Sequence, residues 1–190
     1  DYAAAVNSTQ TYGVRMHGTP KLIHDIQLHY DVGYSNQSDY KNNPGNYGLD
    51  RYNIILGASY VGVSIQSGVE QLDGNGSYAF QTPLGTKHLF QGWADKFLVT
   101  PVRGVRDIKA TIDKSFYGVK LLFAYHNFTE SSGSGKYGNE YDFLLSKHFG
   151  KHYQILAKYA YYDASNSQAA VNAGVEKNTQ KIWVQGSVTF

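Results

Sequence analysis

The stretch IWVQGSVTF, residues 182–190, separates into two alternating sets. Ile182, Val184, Gly186, Val188 and Phe190 form one set; Trp183, Gln185, Ser187 and Thr189 form the other. A period of two sends successive side chains to opposite faces, so the stretch reads as a β-strand with one apolar face. It ends on an aromatic residue, whereas the last residues of a soluble domain usually fray because they bury too little to offset their ordering entropy.

The same alternation runs through most of the chain, and helical periodicity is hard to find. TYGVRMHG (11–18) sets Tyr12, Val14 and Met16 against Gly13, Arg15 and His17. LIHDIQLHYDVGYS (22–35) sets Ile26, Leu28, Tyr30, Val32 and Tyr34 against Asp25, Gln27, His29, Asp31 and Gly33. YNIILGASY (52–60) and VSIQSGVEQ (63–71) follow, then RDIKATID (106–113), YGVKLLFAYHN (117–127), NEYDFLLS (139–146) and YQILAKYAYY (153–162). With the closing strand they make nine.

Composition bounds the reading. The 190 residues include no Cys, 20 Gly and 17 Tyr, with net charge +2. The length suits one domain, here the whole chain 1–190. Absent cysteine excludes a disulfide scaffold and a thiolate metal site. The near-neutral charge gives no reason to expect a nucleic-acid partner. Mean hydropathy is −0.42, and no apolar run reaches the length of a spanning helix. A transmembrane β-strand escapes that criterion, because only its lipid-facing half is apolar.

Connections alternate in length. Short turns are expected at 18–21, 60–62, 113–116 and 149–151, and long polar loops near 36–48, 73–104, 129–137 and 163–177. Short periplasmic turns opposite long extracellular loops are the outer-membrane barrel pattern. Tyrosines near strand ends suit an interfacial girdle: Tyr30, Tyr34, Tyr52, Tyr60, Tyr117, Tyr125, Tyr141, Tyr153 and Tyr161, with Phe190 at the end. The expected fold is therefore all-β, an antiparallel transmembrane β-barrel in the bacterial outer membrane. Outer-membrane lipid and lipopolysaccharide are its surroundings, and the barrel-assembly machinery would read its C-terminal strand. A soluble barrel, apolar side inward, shares the same alternation. Bacterial single-chain barrels have even strand numbers, so nine strands point to a missing N-terminal half or a second chain that closes the barrel; odd-stranded mitochondrial barrels offer the other solution.

Facing inward are Arg15, His17, Asp25, His29, Asp31, Arg51, Glu70, Asp107, Lys109, Lys120, His126, Glu140, Asp142, Lys158 and Lys181. Charges of both signs persist on such a face only where it is wet or where they pair, because an isolated buried ion costs several kcal/mol. They are the candidate pore-lining residues; paired ladders that merely stabilise the wall are the other reading. The longest loop, 73–104, carries SYAFQTPLGTKHLFQGWADKFLVTP (77–101), too apolar for a solvated loop. It either caps the rim or dips into the lumen as a constriction presenting His88, Trp93, Asp95 and Lys96.

Other motifs are weak. GSGKYG (133–138) matches a dinucleotide-binding pattern but lies between two strands rather than before a helix. His148 and His152 flank a tight turn and have no reason to converge on a metal. No cofactor is expected.

YKNNPGNY (40–47), GVEQLDGNGSYAFQTPLGTKHLFQGWADKFLVTP (68–101), RGVRDI (103–108), YHNF (125–128), YGNEYDF (137–143) and GKHYQILAKYAYYDA (150–164) together resemble the C-terminal half of the bacterial outer-membrane alginate-export porin family. The resemblance implies a passive channel and a barrel of roughly twice this length, 16 to 18 strands. The strongly basic pore it implies is not matched here, since the inward set is mixed in sign. The function expected is passive diffusion of small polar or charged solutes, saccharides among them. A non-conducting structural barrel, or an outer-membrane hydrolase using His88 or His126, are the alternatives.

Overall fold

The computed structural model of the chain describes residues 7–22, 25–82 and 91–190. Nine strands follow one another: β1 (Thr9–Gly18), β2 (Gln27–Asp39), β3 (Gly48–Tyr60), β4 (Val63–Leu72), β5 (Val105–Phe116), β6 (Val119–Thr129), β7 (Lys136–Phe149), β8 (Tyr153–Ala164) and β9 (Thr179–Val188). They form one antiparallel sheet in sequence order, with β1 and β9 as its two edges. A five-residue helix, α1 (Gln168–Asn172), lies between β8 and β9 and is capped by Ser167, whose side chain accepts from the Ala170 N–H.

The two ends of the sheet differ as the turn and loop spacing implies. At one end, residues 61–62, 117–118 and 150–152 reverse the chain; at the other, residues 40–47, 73–104, 130–135 and 165–178 connect the strands. Val61 and Gly62 have φ of 47° and 74°, and Tyr117 and Gly118 have 46° and 74°. Positive φ at both central residues is the hairpin geometry that matches strand twist.

Several sequence expectations shift here. Residues 113–116 are not a turn: they complete β5 in register with β4 and β6, as in Asp113↔Ser64 and Phe116↔Val119. Tyr117 therefore sits at the reversal, 98% exposed, rather than on a strand face. Asp25 is not an inward strand residue either. β2 starts at Gln27, and Asp25 occupies a turn at φ 61°. The chain folds back on itself there, with the Leu22 N–H donating to the Ile26 carbonyl and the Leu28 N–H to that of Pro20. The connection after β1 is thus eight residues long, not the short turn expected at 18–21. Phe190 lies past the end of β9.

Exposure settles which face is which. Ile182 and Val184 are 73% and 77% exposed, and Val14, Met16, Ile54, Leu56, Ile65, Ile108, Phe143 and Ile155 are exposed with them, whereas Glu140 and Asp142 on the other face are 0% exposed. A soluble sandwich or barrel requires the reverse, because burial of aliphatic surface is what holds it together. The apolar face is bounded by tyrosines. The Tyr34 and Tyr52 rings lie 5.4 Å apart, tilted to each other, and Tyr125, Tyr141 and Tyr161 line up at 5.4 and 6.4 Å. Tyr30, Tyr60 and Tyr153 lie toward the turn end of their strands. Eight residues separate Tyr52 from Tyr60 and Tyr153 from Tyr161, about 26 Å along a strand. That suits an apolar band of roughly 25 Å crossed by tilted strands.

The buried apolar cluster is on the opposite face, at the loop end. It joins Leu72, Val105, Phe128, Tyr137 and Tyr162 of the strands to Phe80, Ala94 and Phe97 of the 73–104 connection and to Ala170 and Val175. The core is thus a packing of connections onto the ionic side of the sheet, below its rim.

Candidate functional site: the inward wall and its loop

The inward residues alternate with the apolar ones on every strand, and antiparallel register brings acids and bases opposite one another. Arg15 on β1 faces Asp31 on β2, with Nε donating to Oδ1 at 2.7 Å. Arg51 on β3 donates through Nε to Glu70 Oε1 on β4 at 2.9 Å and also through its terminal nitrogen. Lys109 on β5 approaches the other Glu70 oxygen at 4.0 Å. Lys120 on β6 lies 3.9 Å from Asp113 on β5. These are the paired ladders anticipated as one reading of the inward charges, and the cross-strand spacing explains them.

A deeper group lies under the loop. His126 Nδ1 is 2.9 Å from Asp107, and its Nε2 is 3.7 Å from Asp142. Glu70, Asp107, Glu140 and Asp142 are all at most 1% exposed, so they face inward without being open to solute. Glu140 Oε1 accepts from the Ala94 N–H, and Asp142 lies beside Glu140 on the same wall. Among the described residues, His126 has the carboxylates of Asp107 and Asp142 for neighbours.

The 73–104 connection packs on this wall through its described parts, residues 73–82 and 91–104. At its start, Gln37 of β2 and Gln81 exchange hydrogen bonds, amide to carbonyl at 3.0 Å and backbone N–H to side chain at 2.8 Å. Its far part is held by Phe97, whose ring lies 4.6 Å from Phe128, 5.5 Å from Tyr137 and 6.3 Å from Tyr162. Between them the segment Gln91–Asp95 meets the acids. The Ala94 N–H donates to Glu140 Oε1 at 2.7 Å, and Gln91 Nε2 to Glu70 Oε2 at 2.9 Å. Asp95 receives Lys181 of β9 at 2.7 Å. Lys158 of β8 sits over the Trp93 ring at 4.9 Å, a cation–π contact. Lys96 donates to the Lys177 carbonyl and Thr179 Oγ1 and lies 5.2 Å over Tyr162. Burial lowers its pKa from the ordinary lysine value.

Of the residues anticipated at the constriction, Trp93, Asp95 and Lys96 therefore reach the inward wall, and His88 lies outside the described residues. His29 instead meets Ser59 Oγ at 2.9 Å, and His17 is exposed near the turn end. Sequence reading missed Gln37, Gln81 and Gln91, neutral amides that carry no charge pattern. It also missed Gly92, which holds φ +80° between Gln91 at 48° and Asp95 at 58°. A cavity of about 250 Å³ opens beside Trp93, lined by Ile55, Gln66, Lys109, Thr111, Leu122 and His126.

No protein-family profile and no curated protein matches the chain. Solved structures do. The outer membrane protein opdK of Pseudomonas aeruginosa superposes with a TM-score of 0.68 at 13% identity over 96% of this chain and 50% of that one. Acinetobacter baumannii OccAB2 gives 0.69 at 17% over 96% and 48%, and Pseudomonas aeruginosa OccK5 (OpdH) gives 0.64 at 12% over 97% and 52%. The chain spans about half the length of these neighbours. None of the three is an alginate exporter, so the alginate-export resemblance gains no support; the likeness is to outer-membrane porin barrels in general. The fold is an all-β antiparallel sheet of outer-membrane porin type, open at both edges.

Proposed function

We propose that the chain forms part of the wall of a passive diffusion channel for small polar or charged solutes in the bacterial outer membrane. One observation carries this reading: aliphatic side chains are exposed on one face while ion pairs line the other. Only hydrocarbon outside and water inside stabilises both faces at once. Solute selection comes from the width left by the 73–104 loop and from accessible charges such as Lys120, with no cofactor or energy source.

Closure needs further wall. Eight reversals separate β1 from β9, so the two edge strands run in the same direction. An antiparallel complement must then contain an odd number of strands, which makes the whole even, as in a barrel of 16 or 18. An N-terminal half or a second chain supplies it, in keeping with neighbours about twice as long. Lipopolysaccharide and lipid cover the apolar face, and the assembly machinery engages β9.

A second reading, a non-conducting structural barrel, is favoured by the apolar packing of the loop onto the wall. Planar-bilayer recording of the closed protein decides between them. Ohmic conductance steps support the channel, and electrical silence of the folded protein supports the scaffold.

A further inference from the structure

Two kinds of contact hold the 73–104 loop against the wall, and they do different things. Phe97 is packed among Phe128, Tyr137 and Tyr162. Such contacts are strong but tolerate sliding, because dispersion and burial have little directionality. The tip around Trp93 is held by directional bonds to wall carboxylates. Glu140 is fully buried and receives the Ala94 N–H at 2.7 Å. The backbone wraps around it: Gln91, Gly92 and Asp95 all have positive φ. At Gly92 a Cβ atom would stand 2.6 Å from the Glu140 carboxylate, so the loop approaches as closely as a missing side chain allows. Glu70 pairs with Arg51 and, among the described loop residues, accepts from the neutral Gln91 amide.

We propose that Glu140 is the positioning residue of the constriction: its carboxylate, seated in the turn Gln91–Asp95, fixes the loop tip on the wall and thereby sets the narrowest width of the lumen. This rests on the channel reading for its consequence but not for its geometry. A charge-assisted bond out of bulk water is worth about twice a neutral one. Its loss shifts the docked-to-released ratio of the tip by roughly tenfold or more.

The test reads the tip directly. With Trp183 replaced by Phe, Trp93 is the remaining tryptophan of this chain. Its acrylamide quenching is compared in the closed protein, in E140Q and in E140A, beside single-channel conductance. Quenching rises in E140Q and further in E140A, and the conductance steps become larger. G92A, which leaves the strands untouched, gives the same rise, through the clash with the Glu140 carboxylate and the left-handed strain at φ +80°. Unchanged Trp93 quenching in folded E140A or in G92A overturns the inference. The two readings fail separately: released Trp93 in a silent protein defeats the channel and keeps the clamp, whereas unmoved Trp93 in a conducting protein defeats the clamp.

Discussion

Arg51 gives its hydrogen bonds to Oε1 of Glu70, leaving Oε2 for the side chain of Gln91 at 2.9 Å. One buried carboxylate thus ties β3 to β4 and the wall to the loop. Glu70 is 1% exposed, and the Arg51 side chain 18%.

Removing one partner strands the other. Glu70→Ala is expected to destabilise the folded barrel by about 3–5 kcal/mol, the usual loss when a buried pair is broken from one side. The double variant Arg51→Met, Glu70→Leu loses much less. Guanidinium midpoints of the protein refolded in lipid vesicles measure both, and equal losses would contradict a buried pair.

The lipid face makes a sharper prediction. Ile54 and Phe143 are exposed in mid-strand, 47% each. Arginine at either position is expected to cost about 2–4 kcal/mol, the midplane value for barrels. Arginine at Thr111, on the inward side beside the cavity, should cost far less. The same vesicle unfolding experiment reads the difference, and it vanishes if the apolar face meets water.

Charge accessibility separates two residues that alternation alone treats alike. The Lys120 side chain is 49% exposed and only 3.9 Å from Asp113, whereas Asp142 is fully covered by the loop. Lys120→Glu should move the reversal potential in a salt gradient toward cation preference, and Asp142→Asn should leave it in place.

Turn geometry gives a control set. Gly62 and Gly118 hold φ of 74°, while Gly186 sits in a strand with nothing within 4 Å of an added Cβ. Alanine at 62 or 118 is expected to cost about 1–2 kcal/mol from left-handed strain. At 186 it should be tolerated or slightly favourable. Refolding yield and unfolding midpoint would show whether the two classes separate.

Much of the wall was legible from residues alone. In 153–162 and 182–188 the alternation names each side chain's face, because the strand period of two leaves no freedom once the segment is extended. Turn positions were less legible. Tyr117–Gly118 reverses the chain without the Asn or Asp that usually marks such a pair, so the strand YGVKLLFAYHN was read two residues too long and Asp113–Phe116 was taken from β5. The alternation puts Asp25 in a strand because it runs on through a connection in which Leu22 bonds back to Ile26.

Sequence alone determined the nine apolar and ionic faces and the unequal lengths of the connections, since both follow from local periodicity and turn chemistry. Tertiary structure alone decided which face is exposed, and where the long loop goes. Ala94 reaches Glu140 across 46 positions and Asp95 reaches Lys181 across 86. Neutral amides, a left-handed glycine and backbone N–H groups make that docking. Such contacts leave no period in the chain; they exist only where folding brings distant segments together.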